Sequence, residues 1–187
     1  MRVFVAVFPP LEVRKTALSG GLEAVRRSDD KVGWVRPENV HLTLKFLGDI
    51  REEALNDLCA VLEETCRHHT PFDVGLTGLG AFPSARRARI LWAGVGAGSE
   101  RLCSLATDVD AAFAPLGFER EGRPYVPHLT LGRVRGRPAS FELSRASVNL
   151  SFCARRAELV ESTLTEEGAV YRTVEAFALG RGANLKR

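Results

Sequence analysis

Hydrophobic positions along this chain recur with two periods, and the two periods separate strands from helices. Val3–Phe8 is apolar on both alternating faces, which predicts a strand covered on each side. Past Pro9-Pro10, Val13, Ala17, Leu18, Leu22 and Val25 follow a helical spacing that predicts a helix to about Arg27, although Ser19-Gly20-Gly21 opposes it. Lys31–Val35 reads as a short strand, and Pro37-Glu38-Asn39 as a turn feeding a strand over His41–Leu47. Arg51–His68 is the clearest helix, with Leu55, Leu58, Cys59, Leu62 and Cys66 on one stripe. Strands are predicted at Phe72–Leu76, Ile90–Val95 and Val126–Val134, and a helix capped by Ser99 with Leu102, Leu105, Ala106, Val109 and Phe113 inward. Arg156–Leu164 and Val170–Leu179 flank a turn-forming stretch and predict a hairpin.

One pattern repeats. Val40-His41-Leu42-Thr43-Leu44 returns as Pro127-His128-Leu129-Thr130-Leu131, 87 residues later, which suggests two related lobes that each give one strand to a shared centre. On a strand, residues two apart share a face. His41 and Thr43 therefore face one way while Leu42 and Leu44 face a core, and His128 and Thr130 repeat the arrangement. A lone histidine on an alternating strand is ordinarily structural, but no packing rule demands the same polar pair twice. Two imidazoles titrate near neutrality and can serve as acid and base, while threonine hydroxyls can donate to phosphate oxygens. His68 and His69 lie outside such a context, at the end of a helix whose dipole favours a cation.

Composition narrows the reading without changing it. With 187 residues, 45% hydrophobic and 26% charged, the chain has room for one sizeable core. No apolar run approaches the roughly 20 residues that span a bilayer, so a cytoplasmic protein with no membrane partner is expected. Cys59, Cys66, Cys103 and Cys153 have neither metal-ligand nor disulfide spacing and are expected as free thiols. The net charge of +3 is a mild pointer to a polyanion, and the basic set is arginine apart from Lys15, Lys31, Lys45 and Lys186. Gly94-Val95-Gly96-Ala97-Gly98 invites a dinucleotide-binding reading, but its third glycine comes one residue too early and no good strand with an acidic partner follows about 20 residues on.

The paired motifs, with Arg2–Val7, Asn39–Gly48, Gly78–Phe82, Leu91–Val95, Pro127–Arg133, Glu161–Leu164 and Tyr171, resemble the two-histidine (HxTx) phosphoesterase superfamily. Within it the chain is most similar to the RNA 2′,3′-cyclic phosphodiesterases, known historically as 2′-5′ RNA ligases. The resemblance implies an α+β, bilobal fold over residues 1–187, one catalytic domain with an antiparallel sheet and helices in each lobe and a groove between them. It implies hydrolysis of a 2′,3′-cyclic phosphate RNA end to a 2′-phosphate without metal; no cofactor and a monomer are expected. By motif position His128 would activate water and His41 would protonate the departing 3′ oxygen. Thr43 and Thr130 would hold the phosphate, Arg133 would contact phosphate or nucleotide, and Phe46 would stack on the base. Strand parity places Phe46 and Arg133 opposite their histidines unless a bulge intervenes, and otherwise leaves Phe46 in the core. Tyr125, Arg86, Arg87 and Arg89 are candidate rim contacts to RNA. A 2′-5′ ligase, a phosphodiesterase of small cyclic nucleotides and a non-catalytic RNA-end binding protein are the alternatives.

Overall fold

The computed structural model describes residues 1–24, 32–143, 148–166 and 168–180. Nine strands and three α-helices follow in chain order among them: β1 (Arg2–Val7), α1 (Leu11–Ala24), β2 (Val32–Trp34), β3 (Leu42–Asp49), α2 (Leu55–Arg67), β4 (Phe72–Phe82), β5 (Ile90–Val95), α3 (Ser99–Phe113), β6 (His128–Val134), β7 (Asn149–Ala154), β8 (Arg156–Thr165) and β9 (Gly168–Ala178). They form two antiparallel sheets, β3-β1-β8-β9 and β2-β6-β5-β4-β7. Helices α2 and α3 pack on the first sheet and α1 on the second, so each lobe is one sheet with helical cover. The two His-bearing strands, β3 and β6, belong to different sheets and lie against each other at the join.

One apolar core runs through both lobes. Val3, Val5, Val7, Leu42 and Leu159 of the first sheet belong to the same buried cluster as Val74, Leu76, Leu129 and Leu131 of the second. The opposite face of β1, with Phe4 and Ala6, is also buried, as its unbroken apolar run requires. Helix α2 buries Leu58, Leu62 and Cys66, and α3 buries Leu102, Leu105, Ala106, Val109 and Phe113.

The elements differ from the pattern-based expectation at defined places. Strand β4 runs on past Leu76 to Phe82 because Gly78, at φ 63°, absorbs a bulge between Thr77 and Leu79 and the ladder to β5 resumes. Strand β7 is not among the expected elements although it alternates, with Leu150, Phe152 and Ala154 turned to the core and Asn149 and Ser151 exposed; its run is short. Gly98, at φ 78°, rather than Ser99, caps α3; a side chain there would meet the Asp73 carbonyl oxygen at 2.3 Å. Leu22 is exposed rather than inward. The expected end of the first helix at Arg27, with Val25, and the expected strand start at Lys31 lie outside the described residues.

Candidate active site

His41 directly precedes β3, and His128 opens β6. Both are held in the same way. His41 Nδ1 is 2.6 Å from the carbonyl oxygen of Asn39, and His128 Nδ1 is 2.7 Å from that of Val126. A carbonyl only accepts, so each ring carries its proton on Nδ1 and turns Nε2 away from the backbone. The repeated tetrapeptide has thus become a repeated tautomer.

The 37–41 segment is anchored from two sides. A 3₁₀ turn at Pro37–Asn39 receives Arg14 of α1, whose Nη1 donates to the carbonyls of Pro37 at 3.1 Å and Glu38 at 2.8 Å. Asn39 Nδ2 donates to the Ala169 carbonyl of β9 at 2.6 Å. The residue whose carbonyl orients His41 is therefore tied to a helix and to the far hairpin. Aromatic rings complete the seat: Phe4, Phe8 and Tyr171 have centroids 4.8, 5.4 and 5.3 Å from that of His41. Ala6, between Phe4 and Phe8 in the chain, is buried in the same small cluster as Phe4, with Phe8 and Tyr171 packed against it. His128 has Phe82 edge-on at 5.0 Å and Trp92 at 6.4 Å. The Trp92 ring lies over Gly80, where a Cβ would come within 2.2 Å of it.

Burial pushes the His41 pKa down to about 4, against a raising hydrogen bond to Asn39. The charges of His128, Arg133 and Arg14 lower it further, so these four groups share one electrostatic neighbourhood. Thr43 and Thr130 are half-buried, and neither hydroxyl has a hydrogen-bond partner among the described residues.

Two bulges decide where Phe46 and Arg133 point. On β3, Val5 faces Lys45 and Ala6 faces Thr43, so Leu44 is the extra residue. On β6, Leu91 faces Gly132 and Trp92 faces Thr130, so Leu131 is the extra residue. Each bulge lies three residues past its histidine, and each bulged leucine is buried. The offset of five, which simple alternation sends to the far side, is thereby returned to the histidine face. Phe46 pairs with Phe4, is 69% exposed and lies 5.9 Å from the Phe4 ring, so it is not part of the core. Arg133 pairs with Ile90 and is exposed.

Other candidates fall elsewhere. His69 Nε2 is 2.9 Å from Asp108, and His68 Nε2 is 3.1 Å from Glu64, both remote from the two motifs. Tyr125 is no rim platform: its ring packs on the main core and its buried hydroxyl is without a partner among the described residues. Arg86, Arg87 and Arg89 are exposed. The glycine-rich loop hydrogen-bonds to β4 through Gly96 and Ala97, both with Gly75, and serves as a close-packed connection. All four cysteines are free. Sequence reading missed Arg14, Asn39 as an anchor, and the rings of Phe4, Phe8, Phe82 and Trp92. A period-two reading of β1 contained part of the signal, since it puts Phe4, Ala6 and Phe8 on one face.

Two lobes meeting at paired His-x-Thr strands define a two-histidine phosphoesterase. A model of the LigT-like phosphoesterases matches residues 12–92 and 95–171. The RNA 2′,3′-cyclic phosphodiesterase of Aquifex aeolicus is 35% identical over 96% of this chain and 98% of its own. That of Methanothermobacter thermautotrophicus is 37% identical over 84% and 88%. A crystal structure of a Thermus thermophilus protein is similar with a TM-score of 0.83 and 34% identity, covering 97% of this chain and 100% of the other. Escherichia coli LigT complexed with 3′-AMP has the same fold, at a TM-score of 0.82, 24% identity and coverage of 95% and 97%. This chain belongs to the LigT-like phosphoesterase family.

Proposed function

We propose that this protein is an RNA 2′,3′-cyclic phosphodiesterase whose acid–base pair is His41 and His128, acting in the cytoplasm as a single bilobal catalytic domain. The observation that carries the reading is the duplicated tautomer: two imidazoles, each fixed through Nδ1 to the carbonyl two residues back, each presenting Nε2. Relatives at 35% and 37% identity carry the name of that activity, which supports it.

In this mechanism Nε2 of His128 takes a proton from the attacking water as its oxygen bonds to phosphorus. The bond from phosphorus to O3′ breaks, and Nε2–H of His41 delivers a proton to that oxygen. The product is a 2′-phosphate with a free 3′ hydroxyl, and the two rings exchange protons with solvent to reset. Thr43 and Thr130 donate to the non-bridging oxygens, Arg133 faces the phosphate charge, and Phe46 offers a ring to the terminal base. His41 is neutral in the free protein near pH 7, so its role as acid requires the bound anion to raise its pKa. An anionic phosphate does this by opposing the burial and the positive neighbours that lower it.

Single substitutions test the pair. His41→Ala and His128→Ala should each lower turnover of cyclic-phosphate RNA by roughly 10²–10⁴-fold. The double variant should lose far less than the product of the two. On an ester whose leaving group needs no proton, His41→Ala should recover most of its rate and His128→Ala should not. Recovery by His128→Ala alone would exchange the two roles. Near-normal turnover by either single variant on RNA would overturn the mechanism.

A further inference from the structure

Beyond the histidines, one end of the second sheet is rich in arginine. Strand β6 carries Arg133 and runs out into Arg135 and Arg137, while the connection from β4 to β5 carries Arg86, Arg87 and Arg89. The backbone joins these segments. Ala88 and Ala139 exchange amide-to-carbonyl hydrogen bonds of 2.8 and 3.2 Å, Val134 N donates to the Arg89 carbonyl at 2.9 Å, and Phe141 N donates to the Ala85 carbonyl at 2.9 Å. Six exposed arginines are thereby gathered on the end of β6 and the two segments joined to it.

Four arginines elsewhere have carboxylate partners, Arg67 with Glu63 and Glu64, Arg120 with Asp110, Arg156 with Glu158 and Arg172 with Glu161, and what sets the six at this end apart is that among the described residues they are unpaired and carried on segments joined to one another. Among the described residues, none of the six at this end has an ion pair, and the loop's own Glu142 pairs with none of them. Unpaired like charges held side by side repel one another, and a polyanion relieves that repulsion.

The patch is continuous with the candidate site. Phe82, whose ring meets His128 edge-on, leads directly into the loop of Arg86, Arg87 and Arg89. Arg133 acts electrostatically on His41. Gly33 pairs with Arg133, and the Arg135 guanidinium lies over it; a Cβ there would be 3.2 Å from Arg135 Nε. The missing side chain at Gly33 lets Arg135 lie on the same face as Arg133.

We propose that this arginine end is a track for the phosphodiester backbone of a single-stranded RNA, taking the nucleotides on the 5′ side of the terminal cyclic phosphate. The inference rests on the phosphodiesterase reading and extends it: the preferred substrate is an oligonucleotide rather than a cyclic mononucleotide. Contacts to phosphate position a chain without reading its sequence, so the track favours length and not base identity.

The test compares kcat/KM for a 2′,3′-cyclic mononucleotide with that for an octaribonucleotide ending in a 2′,3′-cyclic phosphate. The wild-type protein should favour the octamer, and Arg86→Ala/Arg87→Ala/Arg137→Ala should reduce that ratio by on the order of tenfold. The slope of log KM for the octamer against log salt should become shallower by about 2, since each phosphate contact on a single strand contributes about 0.7. The lysine version of the triple variant should keep most of the slope. Removing Arg51, Arg67 and Arg101, which carry equal charge on the α2–α3 side, should leave the ratio unchanged. A wild-type ratio near one, or a ratio the triple variant does not alter, overturns the track. If no cyclic phosphate is hydrolysed at all, the activity reading fails, and the track is judged by binding alone. The probe is then a fluorescent octaribonucleotide with a 2′-phosphate end. Weaker, less salt-dependent binding by the triple alanine variant supports the track, and equal binding overturns it.

Discussion

His41 shows how a single side chain can be set by its surroundings before any substrate arrives. Burial among Phe4, Phe8 and Tyr171 disfavours the imidazolium, which holds the pKa at about 4 against about 6.5 in an unfolded chain. Between those values the unfolded chain binds the extra proton, so the fold loses stability as pH falls from about 6.5 to about 4 and regains it as pH rises. The contribution is at most about 3–4 kcal/mol, because a shift of one unit corresponds to about 1.4 kcal/mol. Urea denaturation at pH 4.5 and pH 7 should show this slope, and His41→Gln should flatten it. A slope unchanged by His41→Gln would show that the imidazole is not held neutral. The same displacement makes ligand binding take up a proton: calorimetry of a 2′-phosphate nucleotide near pH 6.5, in buffers of different ionisation enthalpy, should record uptake that His41→Gln abolishes.

At the scale of elements, the decisive features are the paired bulges and the anchored turn. Asn39 is a positioning residue, holding through Ala169 the turn whose carbonyl fixes the His41 ring. Asn39→Ala should therefore lower kcat by on the order of tenfold to a hundredfold while KM changes little, since misplacing a reacting group by about 1 Å has effects of that size. A loss confined to KM, or to thermal stability, would make Asn39 merely structural. The repeat His-x-Thr is legible in the sequence because it is local, and so are helices α2 and α3, whose apolar stripes are long. The direction of Phe46 and Arg133 is not legible. Alternation gives the face only while the ladder is regular, and the bulges at Leu44 and Leu131 appear when β3 is paired with β1 and β6 with β5. Arg14 and the aromatic seat escape for a related reason, since they reach His41 from elements distant in sequence. The cap of α3 is misread from sequence because the serine signal is common, whereas the close approach of Gly98 to Asp73 exists only in the packed structure.

For the molecule as a whole, the question is how two sheets keep two histidines in register. The shared apolar core is one part, and a buried ionic network is the other. Lys45 of β3, on the core side of its bulge, donates to Asp110 of α3 at 2.5 Å and to the Glu119 carbonyl at 2.8 Å. Asp110 also accepts from Arg120 at 2.8 Å and from the Glu121 amide at 3.1 Å. The His41 strand is thus tied to the segment that runs on to His128. Burial alone would raise the Asp110 pKa, but the hydrogen bonds from Lys45, Arg120 and the Glu121 amide outweigh it and hold the carboxylate below its ordinary range. Its contribution is present above the unfolded value near 4 and is lost as pH falls through the lower folded one, a window below that of His41. Asp110→Ala leaves the Lys45 ammonium buried without its carboxylate, and removing one partner of such a pair costs about 3–5 kcal/mol. Lys45→Met/Asp110→Leu, which removes both charges, should recover most of that loss. Because one core joins the lobes, wild-type denaturation should give a single transition, with tryptophan fluorescence from Trp34 and Trp92 in the second sheet coinciding with far-ultraviolet circular dichroism. Asp110→Ala should move both signals together to lower denaturant. Separation of the two curves, in either protein, would mean that the lobes unfold independently and that their register does not depend on the shared core.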